Sequence, residues 1–121
     1  TGLMNHMSFQ GLGAAIDYVN RVGVVEIEKH NLTLHAYASD KLQSLPVKTF
    51  SAREGAFAAP LLAFKIDAKF EPRSMIADLL TKEKLVVKAL PKLGALRIST
   101  HLFNSKEDVD RALGGLGRRL V

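Results

Sequence analysis

The hydrophobic period of this chain changes at Pro46, and that change constrains the fold more than any other feature. Before Pro46, apolar residues recur at three- and four-residue steps; after it, they alternate in short runs. One element cannot serve both periods. The chain therefore reads as a helix pair over 1–46 followed by a sheet with helices over 47–121, together a single domain. Residues 6–22 predict the first helix: Phe9, Leu12, Ile16 and Val19 share a face with Ala15, while Asp17, Asn20 and Arg21 point away. Gly23 ends it. Gly11 and Gly13 predict the close approach of another backbone rather than a phosphate loop, which would need a preceding strand and free helix N–H groups. Residues 24–45 predict the second helix, with Val24, Ile27, Leu34, Ala38, Leu42 and Leu45 as its buried stripe and Pro46 as its stop. His30 and His35 are five apart and share no face, so they read as surface histidines and no metal site is expected.

Beyond Pro46, Val47–Phe50 predicts an edge strand and 51–59 a loop. Leu62, Phe64 and Ile66 alternate with Ala63, Lys65 and Asp67, the pattern of a strand with one buried face. Glu71-Pro72-Arg73-Ser74 opens a short helix, whose buried side is Met75, Ile76, Leu79 and Leu80. Leu85–Lys88 predicts a third strand, Pro91 and Gly94 a turn, and Leu96–Thr100 a fourth strand. The expected class is α/β (α+β). It has a small, largely antiparallel sheet of three to four strands with helices on one face, preceded by the long helix pair.

The last stretch carries the chemistry. Leu96, Ile98 and Thr100 alternate with Arg97 and Ser99; Ser105 then opens a final helix, with Asp108 three residues on as a capping box. Val109, Ala112, Leu113, Leu116 and Leu120 form its apolar face. Arg97 has two readings. It is either a solvent-facing strand residue paired with a nearby Asp or Glu, or an anchor gripping a ligand carboxylate by two parallel hydrogen bonds, a geometry that Lys lacks.

The run Arg97-Ile-Ser-Thr-His-Leu-Phe-Asn-Ser-Lys-Glu-Asp-Val-Asp-Arg-Ala-Leu113 resembles the C-terminal end of class V aminotransferase-family enzymes. These are pyridoxal-phosphate (PLP) enzymes of fold type I, among them cysteine desulfurases and isopenicillin N epimerase-like proteins. Gly11-Leu-Gly-Ala-Ala-Ile-Asp-Tyr-Val-Asn-Arg-Val-Gly23 and Ile27-Glu-Lys-His30 resemble the helix pair that joins the large and small domains of the same family. The resemblance implies that Arg97 binds the substrate α-carboxylate and that His101 and Asn104, in the corner before the last helix, close the site. It implies no catalytic residue in this chain. The Schiff-base Lys and the Asp that pairs with the pyridine nitrogen belong to a large domain that would precede Thr1. The chain alone is therefore expected to be inactive.

Near the start, relatives carry Gly-Thr, whose hydroxyl reaches the cofactor phosphate of the neighbouring subunit; here Gly2-Leu3 stands in that place, and Leu cannot donate that bond. Thr1 substitutes only if the register slips. Asn5 and His6 match a Gly-Thr-x-Asn-His variant, which places His6 against the cofactor or, equally, at the surface of a helix start. Desulfurases carry a nucleophilic Cys in a loop of this domain, because persulfide transfer needs a thiolate. The chain has no Cys. The expectation is thus an aminotransferase, lyase or epimerase acting on an amino acid, and not a persulfide-forming desulfurase.

Composition bounds the alternatives. The net charge is +5, from 17 basic residues that are scattered and not interleaved with aromatics, so nucleic acid is not the expected partner. A small anion fits the charge equally well. The competing reading is a non-catalytic α/β module that binds a partner or acidic ligand through a basic face. No apolar run approaches ~18 residues, so no membrane span is expected. The start lacks a basic stretch followed by an apolar one, so no secretory signal is expected either. A cytoplasmic homodimer is the expected setting.

Overall fold

The computed structural model describes residues 5–120. Helix α1 runs His6–Val22 and α2 Val24–Leu42. Strands β1 (Lys48–Thr49) and β2 (Leu61–Lys65) precede α3 (Pro72–Glu83), and β3 (Lys88–Leu90), a 3-10 turn (Pro91–Leu93) and β4 (Ala95–Ser99) lead into α4 (Lys106–Leu120). The sheet order is β1-β2-β4-β3, with every neighbouring pair antiparallel. The mixed α/β class with a small antiparallel sheet is the one the periods predict. Among the described residues no helix is long and apolar enough to cross a membrane.

The core lies on one face of the sheet. Leu62, Phe64, Ala89 and Leu96 meet Leu34, Ala38 and Leu42 of α2, Met75 and Leu79 of α3, and Val109, Leu113, Leu116 and Leu120 of α4. Burial of side chains this size contributes about 1.5–3 kcal/mol each. Helix α4 seats closely because Gly115 is a glycine: a Cβ there would stand 3.0 Å from Leu85 Cδ1 and 3.4 Å from Leu79 Cδ2. Its start is closed by the expected box, Ser105 N–H donating to Asp108 Oδ2 at 3.0 Å and Asp108 N–H to Ser105 Oγ at 3.3 Å.

Four expectations are corrected. The third strand is Lys88–Leu90 rather than Leu85–Lys88. Residues 84 and 85 are used to close α3: Lys84 is left-handed at φ 56°, and Leu85 N–H reaches back six residues to the Leu79 carbonyl. His35 is a buried residue, 2% exposed, not a surface one. The arc that α2 buries is wider than its apolar stripe and takes in Asn31, His35 and Ser39; the loop after β1 covers it, with His35 Nε2 donating to the Ala52 carbonyl at 2.8 Å. Helix α2 also ends at Leu42, short of Leu45, and its Val24 is exposed. Finally, a Cβ at Gly11 or Gly13 would meet no other part of the chain within 4 Å, so the expected close helix packing is not made here. Helix α1 buries no residue at all, and Phe9, Leu12 and Ile16 are 58%, 54% and 51% exposed.

Candidate functional site

Arg97 sits in β4, a strand flanked on both sides, with Ala63 of β2 as one cross-strand partner and Lys88 of β3 as the other. Its neighbours Leu96 and Ile98 turn into the core. Side chains alternate along a strand, so Arg97 leaves from the opposite face. The register puts Lys88 on that face too, and one step further along it sets Lys65 opposite Lys48. None of the four strands contains an Asp or Glu. This face of the sheet is consequently basic.

Arg97 is half-buried, and its Nε is sealed from solvent without a hydrogen-bond partner. Among the described residues, no carboxylate lies within ion-pair distance of it. The reading of Arg97 as one half of a surface ion pair is not realised. A buried donor left unpaired costs about 1–3 kcal/mol, and an incoming carboxylate removes that cost by accepting from the planar fork.

His101 and Asn104 are brought together in one turn. Asn104 Oδ1 accepts from the His101 backbone N–H at 2.9 Å, and Asn104 N–H donates back to the His101 carbonyl at 2.9 Å. His30 Nε2 adds a bond to the Asn104 carbonyl at 3.0 Å, tying α2 to the corner. The Asn104 amide oxygen is therefore committed to the turn. The His101 ring is exposed and stacks on Phe103, with centroids 5.4 Å apart. Among the described residues, no hydrogen bond joins either side chain to Arg97. A cleft beside the corner is lined by Val86, Ile98, Thr100, Phe103, Asn104 and Arg111 among others, and excludes Arg97.

His6 is exposed at the first position of α1, behind Asn5, whose side chain accepts from Ser8 N–H at 3.2 Å. The helix-start position is thus the observed one. Thr1 and Leu3 lie outside the described residues. Sequence reasoning missed Lys88, Lys65 and Lys48 as companions of Arg97. The signal was present in the one-residue alternation, but a third strand set three residues early hid the register.

Charge elsewhere serves the scaffold. Arg118 and Arg119 reach Glu83 at 2.9 and 3.1 Å and hold its carboxyl below the usual range. Lys41 and the Tyr37 hydroxyl do the same to Asp110, and Arg53 to Asp40.

Known proteins resemble this chain along most of its length. The family model described as aminotransferase class-V matches residues 1–112. A probable cysteine desulfurase of Halalkalibacterium halodurans is 34% identical over 88% of this chain, which covers 28% of that protein. A cysteine desulfurase of Yersinia pseudotuberculosis is 28% identical over 97% of the chain and 30% of its own length. The apo structure of a cysteine desulfurase from Thermococcus onnurineus superposes at TM-score 0.85, with 28% identity, covering 99% of this chain and 32% of that one. The chain thus spans less than a third of the relatives it matches. These likenesses overturn the expectation that excluded a desulfurase for want of a Cys. The chain has no Cys, yet the relatives and the solved structure that it matches are named cysteine desulfurases.

Proposed function

The chain belongs to the class-V aminotransferase family of PLP-dependent enzymes, and on that premise we propose that it is the C-terminal portion of a cysteine desulfurase-like enzyme. In this reading Arg97 holds the α-carboxylate of the amino-acid substrate. One observation carries the reading: a half-buried Arg on a flanked strand, its Nε sealed and unpartnered, on a sheet face without carboxylates.

PLP requires an amine, a partner for its ring nitrogen and a phosphate cradle. The described residues do not assemble these. His6 is exposed at a helix start, and Arg97 and Lys88 stand on the sheet face away from the core. The group does not fit this chain alone, and the residues that hold it are proposed to lie in the rest of a longer, cytoplasmic, homodimeric protein. The apolar face of α1 is proposed to dock there, since it finds no cover in its own chain.

What this chain supplies is placement. The Arg97 fork fixes a planar carboxylate at two points and so sets the direction in which the Cα substituents project. The Ser105–Asp108 box and the Asn104 turn hold the end of β4 against α4, which keeps that fork from drifting. The test is kinetic: in the complete enzyme, Arg97→Ala should lose activity toward the amino acid far more than toward the amine lacking its carboxylate. Equal loss toward both would overturn the proposal.

A further inference from the structure

We propose that Lys88 is a second anchor on the same face, and that the amino acid held by Arg97 carries an acidic group on its β-carbon for Lys88 to take. The inference rests on the reading of Arg97 as the carboxylate anchor. Lys88 and Arg97 are direct cross-strand partners, and the next pair along, Ala89 and Leu96, turns into the core. Both cations therefore project from the face away from the core, with Cβ atoms about 4.5–5.5 Å apart.

Like charges directly opposite each other destabilise a sheet. Among the described residues neither cation has a carboxylate to offset the other. A Lys on an edge strand deters edge-to-edge pairing, and that accounts for Lys48 on β1 and for some of Lys88 on β3. It does not account for Arg97, which lies on a flanked strand with its Nε buried and unpaired. A ligand with two anionic points removes both penalties together.

The two cations also differ in what they accept. The planar fork of Arg97 suits a carboxylate, whereas the Lys88 ammonium is a compact charge on a flexible stem that tolerates any anionic shape. The fork therefore takes the α-carboxylate and the ammonium takes the side-chain carboxylate. Ala63, on the far side of Arg97 from Lys88, offers only a methyl group and no competing charge.

The experiment titrates the full 121-residue chain with L-aspartate and, separately, with L-alanine at fixed ionic strength, and follows the Arg97 Nε–H resonance by NMR. Both ligands should move that resonance, with aspartate binding about 1.5- to fivefold more tightly, the worth of one exposed ion pair. In Lys88→Gln the preference for aspartate over alanine should vanish, and Arg97→Lys should weaken both. Lys88 is exposed, so the folded amide spectrum of Lys88→Gln should match the parent. Equal binding of the two ligands, or a preference that survives Lys88→Gln, overturns the role of Lys88 and leaves Arg97 standing. If neither amino acid moves the Arg97 resonance, the anchor reading itself fails and the inference with it.

Discussion

The amide oxygen of Asn104 accepts the backbone N–H of His101 at 2.9 Å, and that bond forms the corner between β4 and α4. Asn104→Ala should therefore lower stability by about 0.5–1.5 kcal/mol, the net worth of one such bond. Thermal melts check this. A variant that melts like the parent yet loses activity in the complete enzyme would show Asn104 acting on substrate instead.

Two adjacent glycines of α4 should respond with opposite tendencies. A Cβ at Gly114 meets only Arg118 Nη1 at 3.6 Å, so Gly114→Ala should gain about 0.5–1 kcal/mol from restricted backbone freedom. At Gly115 the same atom meets Leu85 at 3.0 Å and Leu79 at 3.4 Å, and overpacking of this kind costs about 1–3 kcal/mol. Gly115→Ala should be the less stable of the pair in denaturant titrations. The reverse order would contradict the seating of α4 on α3.

The start of α4 was largely legible in the sequence, and the sheet register was not. Ser105 and Asp108 announce their cap because capping is local chemistry, satisfied within one turn. The apolar run Leu85-Val86-Val87 reads as a strand, yet a left-handed Lys84 and the bond from Leu85 back to Leu79 use it to close α3. Nothing in a strand period reports such a reach. That shift hid Lys88 opposite Arg97, so Arg97 stood out in the sequence while the lysine beside it did not. His35 escaped for a related reason: its cover comes from the Ala52 loop, distant from the stripe that defines α2.

Acid should weaken the fold in a defined direction. Arg118 first, then Arg119, holds the Glu83 carboxyl below its ordinary value, and Lys41 with Tyr37 does so for Asp110. A folded-state pKa below the unfolded one means that the unfolded chain binds more protons between the two values. The contribution is complete above the ordinary carboxylate range, about 3.9–4.3, and is lost as pH falls through the folded values. Melting temperature should stay level from about pH 7 to 5 and drop below about pH 4. Glu83→Gln should make that drop shallower; an unchanged acid limb would mean that the Glu83 network adds nothing to folding.

Helix α1 should be dispensable for the core and responsible for association. Ile16→Glu should leave unfolding within about 0.5 kcal/mol of the parent, because α1 buries no residue. The same change should reduce self-association in sedimentation experiments, since exposed apolar faces drive it. A loss of about 2–5 kcal/mol, as expected for truncating a buried residue such as Leu116, would place α1 in the core.

The role of Arg97 is tested most directly by kcat/KM of the complete enzyme with Arg, Lys or Ala at this position, measured on an amino acid and on its decarboxylated amine. Two charge-assisted bonds of about 1.5–3 kcal/mol each predict a loss of roughly 10²–10⁴-fold for Arg97→Ala on the amino acid. Arg97→Lys should recover only part of that loss, and the amine should be turned over almost as well by all three forms. Equal losses on both substrates, or losses that follow the melting temperatures, would make Arg97 a structural residue and contradict the account.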